Sequence, residues 1–259
     1  MPEKAKAKIN LQSIFLSLLV LLAIGLAFFS GSMWQKVKNL EKGATTAQPS
    51  QQQPAQPTVS LDTIKDLFKK DLIKFGDENR KVLFVEVSDP SCPFCQIAGG
   101  KNKALIENFD KNGTYVPPVP EMKKLVDQGK ASYVLIYSPG HGAGEMGMKA
   151  LYCAYEQNKF WQASDLIMAD AGYTLLNDVV KNDKVQSQKV VDLLKGVLDG
   201  ARLKECLDSG KYDTRLGSDQ QLATSIGIQG TPGFYVNITN FAGAYSWKDM
   251  ETIVTDALK

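Results

Sequence analysis

From Ile9 to Gln35 the chain carries no charged residue, and the stretch IFLSLLVLLAIGLAFF at its centre is almost wholly apolar. Extended to Trp34, this run reaches the roughly 20 residues that a helix needs to cross a bilayer core. Lys4, Lys6 and Lys8 precede it, a positive flank that favours an N-inside orientation, and Trp34 suits the far interface. The pattern predicts a cytoplasmic N-terminus over residues 1–12 and a single transmembrane anchor, bedded in the lipid bilayer, over 13–34. A cleaved signal peptide is the alternative, because Ser30 and Ser32 stand at a cleavage-like spacing, although the apolar run exceeds the usual h-region of about 7–15 residues. On either reading the remainder lies outside the cytoplasm, tethered to the cell membrane or, after cleavage, secreted.

The pattern then changes. Residues 44–58, ATTAQPSQQQPAQPT, have almost no apolar bulk and cannot bury a core, so 35–58 reads as a flexible linker. A globular domain is expected over 59–259. Leu61, Ile64, Leu67, Phe68, Leu72 and Ile73 recur at helical spacing and predict an amphipathic opening helix. KVLFVEVS, β-branched and aromatic and bounded by Asp89-Pro90, predicts a buried strand, and SYVLIYS a second one. Residues 144–216 are mainly helical in pattern, clearest in MKALYCAYEQNKFW and KVVDLLKGVLDGARLKECL. A helix at SDQQLATSIG, a turn and strand at GTPGFYVN, a short strand from Phe241 to Tyr245 and a last helix from Trp247 to Leu258 close the chain. The order is strand, helix, strand, long helical insertion, helix, strand, strand, helix, an α/β arrangement.

Composition narrows the chemistry. Thirty basic against 28 acidic residues leave +2, no field for nucleic acid. A single histidine, His141, rules out multi-histidine metal sites and most catalytic histidine networks by count. Four cysteines remain: Cys92 and Cys95 form a Cys-x-x-Cys pair directly after the first strand, and Cys153 and Cys206 stand alone. A zinc ribbon would need a second close pair, and a disulfide across so small a loop adds little stability. No metal and no cofactor is expected. The redox alternative has a physical basis. A thiol at a helix N-terminus is stabilised as thiolate, and one a turn later can resolve a mixed disulfide formed by the first. Cys92 is then the nucleophile, Cys95 the resolving thiol, and Pro93 occupies a first-turn position where its missing N–H does no harm. Glu86, an acid within an apolar strand, either relays protons for Cys95 or faces solvent.

KVLFVEVSDPSCPFC, with an acid six residues before the first cysteine, and GIQGTPGFYVN together resemble the thioredoxin-fold disulfide oxidoreductases of the DsbA type, especially exported Gram-positive and actinobacterial relatives. The resemblance covers about residues 74–259. It implies a thioredoxin-like fold with the helical insertion at about 144–216, and a cis proline at Thr231-Pro232 beside the cysteine pair, where the backbone of Thr231 holds an extended substrate. It implies a second, structural disulfide between Cys153 and Cys206. It further implies oxidation of exported cysteine-containing proteins, with electrons passed to a membrane redox partner such as a quinone-linked oxidase. Phe94 departs from the family's best-known form, which has a histidine there that stabilises the thiolate. A less oxidising potential follows, so a reductase or isomerase, fed by a membrane electron donor, stays open, as does a non-enzymatic binding or assembly module of the same fold.

Gly142-x-Gly144-x-x-Gly147 formally matches a dinucleotide-binding fingerprint, but no second strand ending in an acid follows about 20 residues on, so the stretch reads as a junction with His141 in solvent. Tyr152, Tyr155, Phe160 and Trp161 read as packing of the insertion.

Overall fold

The computed structural model describes residues 59–259. The expected cytoplasmic segment, anchor and linker over 1–58 lie outside them. Among the described residues no helix is long and apolar enough to cross a membrane.

Five strands, β1 (Ile73–Phe75), β2 (Val82–Ser88), β3 (Ala131–Tyr137), β4 (Gly233–Val236) and β5 (Thr239–Ala242), form one sheet in the order β1-β3-β2-β4-β5. β2 and β3 run parallel; the other neighbours are antiparallel. Every residue of β2 and β3 is buried, which explains why both read as unbroken apolar runs and not as alternating ones. The period-2 pleat still sorts them. Leu83, Val85 and Val87 join Val134 and Ile136 under α1 (Leu61–Leu67) and α10 (Asp213–Ser225). Val82 and Phe84 join Tyr133 and Leu135 on the opposite face. That second face is covered by α2 (Pro93–Gly99), α4 (Pro118–Asp127), α11 (Trp247–Leu258) and the helical insertion. α3 (Lys103–Phe109) sits beside α2.

The insertion comprises α5 (Glu145–Glu156), α6 (Phe160–Ile167), α7 (Asp170–Thr174) running into a wider helical turn at Leu175–Val180, α8 (Ser187–Leu193) and α9 (Gly200–Ser209). Each of the two long helical runs expected here is two helices. Asn158, at φ 57°, breaks the first, and Gly196, at φ 89°, breaks the second, both in the left-handed region where a right-handed helix cannot continue. Cys153 on α5 and Cys206 on α9 are disulfide-bonded, with Cα atoms 6.1 Å apart. By the chain-entropy treatment a bridge across 53 residues contributes about 4 kcal/mol. α10 is docked by a buried carboxylate: Asp219 accepts from the Tyr152 hydroxyl at 2.5 Å and from Arg215 at 3.2 Å.

The opening helix is shorter than its periodicity predicts. It ends at Leu67, and Ile73, which continues the helical spacing, begins an edge strand instead, pairing with Leu135. Two helices, α3 and α4, arise where no element was expected. α4 starts with Pro118 in its first turn, which fixes a helical φ without forfeiting a hydrogen bond.

Candidate active site

β2 delivers the chain to the site. After Ser88, the Asp89-Pro90-Ser91 turn leads into α2, with Cys92 as N-cap and Pro93 in the first turn. Cys92 is 2% exposed and Cys95 fully buried, and both are free thiols. Three bonds set their places. The Cys92 N–H donates to the Asp89 carbonyl at 2.9 Å, the Asp89 N–H donates to Cys95 Sγ at 3.4 Å, and the Cys92 thiol donates to the Thr231 carbonyl at 3.4 Å. Gln96, also buried, ties α2 to the insertion by donating to the carbonyls of Pro90 and Ile167 at 2.7 and 3.1 Å.

The Thr231-Pro232 peptide bond is cis. Thr231 reaches Cys92 from the loop before β4, although 139 positions separate them in sequence. In the thiol form its hydroxyl is buried with no partner. It lies close enough to the Cys92 sulfur to help lower that thiol.

The two thiols differ sharply. Cys92 is lowered to about 6, chiefly by the hydrogen bond from the Cys95 thiol, with smaller help from the Cys95 N–H, the Thr231 hydroxyl and the Phe94 N–H; burial opposes them. The Phe94 and Cys95 N–H groups lie at the start of α2, so the expected helix-terminus effect is present but secondary to the neighbouring thiol. Cys95 is pushed well above its ordinary value by burial and then by the anionic Cys92.

Glu86, on the pleat face shared with Phe84, is 3% exposed and does not face solvent. It accepts from the Tyr133 hydroxyl at 2.5 Å, and burial raises its carboxyl above the usual range. Ser88, one pleat repeat nearer the cysteines, lies near both the Glu86 carboxyl and the Cys95 thiol and acts to lower each. Glu86, Ser88 and Tyr133 line a cavity of about 220 Å³ bounded by Val119, Lys123, Met148, Phe160 and Trp161. The buried acid therefore borders a space between the sheet, α4 and the insertion, and Phe160 and Trp161 are part of its wall as well as packing.

Phe94 is 47% exposed and stands edge-on to Phe109, 45% exposed, at 6.2 Å. It offers Cys92 no side-chain donor. Cys153 and Cys206 are bonded to each other and do not belong to this cluster. Sequence reasoning missed Ser88, Tyr133 and Asp89: the first two looked like ordinary strand positions, and Asp89 looked like a strand boundary.

Residues 120–256, just over half of the chain, match the family model described as Thioredoxin; the match begins after the cysteine pair. Among solved structures, BdbD from Bacillus subtilis in its oxidised form aligns with a TM-score of 0.52 at 19% identity, covering 72% of this chain and 92% of that one. The thiol-disulfide exchange protein alpha-DsbA2 from Wolbachia pipientis gives 0.54 at 18%, covering 76% and 92%. DsbA from Chlamydia trachomatis gives 0.51 at 17%, covering 72% and 91%. The curated relative named Na(+)/H(+) antiporter NhaA 3, from Salinispora tropica, is 26% identical over 185 residues, 70% of this chain. The chain spans about a quarter of the length of the curated relatives it matches.

Proposed function

This chain belongs to the thioredoxin family and has the fold of the DsbA-type proteins, and from that premise we propose that it is a thiol–disulfide oxidoreductase in which Cys92 exchanges with substrate and Cys95 resolves. The observation that carries the reading is the asymmetry of the pair: an outer thiol lowered to about 6 beside an inner one raised by burial. A thiolate at neutral pH is both a competent nucleophile and a good leaving group, whereas a buried high-pKa thiol is a poor leaving group and no nucleophile until deprotonated in place.

In the oxidising direction, a substrate thiolate attacks Sγ of Cys92 in the Cys92–Cys95 disulfide. The S–S bond breaks, its electron pair stays on Cys95, and a mixed disulfide forms. Cys95 then takes a proton, for which neutral Glu86 is the source through Ser88; Glu86 recovers one through the cavity it borders. A second substrate thiolate attacks the substrate sulfur and expels Cys92 as thiolate. The substrate has lost two electrons, which the reduced pair now holds. The backbone of Thr231 is suited to hold the substrate strand beside Cys92. Oxidation of exported cysteine-containing proteins, an anchor over 13–34, an extracytoplasmic site of action and a quinone-linked membrane oxidase as acceptor complete the reading, supported by the apolar N-terminal run and the family resemblance.

One observation favours the opposite direction as a second reading. The Phe94 side chain gives the Cys92 thiolate no hydrogen bond, and a thiol near 6 lies between about 7 for thioredoxin and about 3.5 for DsbA. The reduced pair is thus stabilised less than in the strongest oxidants.

A trap tests the shared chemistry. Full-length chain carrying Cys95→Ser, mixed with a disulfide-bearing peptide, is expected to accumulate a covalent adduct on Cys92 that reductant releases, because no second thiol resolves it. Absence of that adduct, or an adduct on Cys153 or Cys206, refutes the assignment.

A further inference from the structure

Asp89 is fully buried, and no Lys or Arg pairs with it among the described residues. Such a carboxylate is costly unless hydrogen bonds replace its water. Four do. The N–H and hydroxyl of Ser91 donate to Oδ1, each at 2.8 Å. The N–H groups of Gly140 and His141 donate to Oδ2 at 2.6 and 2.9 Å. One oxygen therefore holds the residue just before Cys92, and the other holds the loop that follows β3.

That loop lies close to the reacting atoms. A Cβ on Gly140 would stand 2.1 Å from Thr231 Oγ1 and 3.3 Å from Cys92 Cβ, and one on Gly144 would stand 1.7 Å from Asp89 Oδ1. Only glycine fits either place. The rest of the loop is held from behind: Ala143 N–H donates to Ser91 Oγ at 3.3 Å and Asn182 donates to the Gly142 carbonyl at 2.7 Å. Of the glycines that formally match a nucleotide fingerprint, Gly144 is accounted for by close packing against Asp89 and Gly147 by packing against Leu176 and Pro90, while Gly142 takes a left-handed turn at φ 79°.

We propose that Asp89 is a positioning residue: its carboxylate pins residues 138–144 against the start of α2, so that this loop, Cys92 and Thr231 together frame the cleft that receives a cysteine-bearing peptide. The role rests on the thiol–disulfide reading above. Asp89 touches no reacting sulfur through its carboxylate. Its effect passes through the loop, so it alters substrate fit and not the reactivity of the thiol. Asn in its place has one acceptor oxygen, and its NH2 faces donors, so one of the two attachments is lost.

The test uses the full-length chain in detergent with Asp89→Asn and, separately, Gly140→Ala, which leaves the carboxylate in place. Amide hydrogen exchange at Gly140 and His141 is expected to quicken at least about tenfold in Asp89→Asn, and KM for a cysteine-containing peptide to rise about tenfold in both variants. In Asp89→Asn the rise in KM is expected to exceed any fall in kcat by at least about threefold, a split that a general loosening of the fold would not give. Unchanged amide exchange in Asp89→Asn overturns the clamp. Faster exchange with unchanged KM, or a fall in kcat as large as the rise in KM, overturns its role in the cleft. A wild-type chain that turns over no peptide overturns the redox reading itself, and the cleft role with it.

Discussion

Cys92→Ser reduces oxidation of a reduced peptide dithiol by the full-length chain by at least about 10⁴-fold, the scale seen when the nucleophile of a covalent mechanism is removed. Nothing nearby can replace it. Cys95 is fully buried, its thiol is held well above the ordinary range, and its sulfur accepts the Asp89 N–H. Cys153 and Cys206 are already bonded to each other across the insertion. Serine can occupy the N-cap, so the fold survives, and circular dichroism superimposable on that of the native chain separates lost chemistry from lost structure. Retention of even a tenth of the wild-type rate would mean that exchange does not pass through Cys92.

The second large effect concerns Glu86→Gln. Glutamine keeps an oxygen to accept from Tyr133 and roughly keeps the side-chain volume, but it cannot give up or take a proton at neutral pH. The reduction of the Cys92–Cys95 disulfide by a peptide thiol, which requires Cys95 to be protonated, is expected to slow by about 10²-fold at pH 7, in the range of one lost general acid or base. Alkylation of Cys92 should hardly change, because Cys95, and not Glu86, chiefly sets that thiol. Stability moves the other way. A carboxyl raised by burial contributes fully below its unfolded value, and that contribution is lost as pH rises through the folded one. The native chain is therefore penalised at alkaline pH and Glu86→Gln is not. Denaturant unfolding should find the variant more stable than wild type at pH 8, with the gap closing towards pH 4. Equal stabilities at both pH values would show that Glu86 ionises freely and has no stored proton to deliver.

Much of this site is legible in the sequence because its parts have local signatures. The cysteine pair, the strand before it and the Thr-Pro element are short, ordered and chemically distinctive. What escapes is set by tertiary packing. Ile73 extends a helical spacing but pairs with β3, because a three-residue edge strand is too short for alternation to appear. The helical insertion reads as two long helices because periodicity counts apolar positions and does not register a left-handed residue such as Asn158 or Gly196. Glu86 is ambiguous from sequence alone, since an acid in an apolar run fits either an exposed strand edge or a buried position. The burial of β2 on both faces, which only the assembled sheet determines, decides between them. Asp89 is the clearest loss. As half of an Asp-Pro pair it reads as the end of a strand, and the loop it holds is 51 residues away.

Whether Cys92, and not Cys95, is the thiolate at neutral pH is read from the rate of iodoacetamide alkylation of the reduced full-length chain against pH. Peptide mapping should find the label on Cys92, with a midpoint at about pH 6 and Cys95 unlabelled until far more alkaline conditions. A midpoint near the 9.0 of an ordinary thiol, or first labelling at Cys95, would contradict the account.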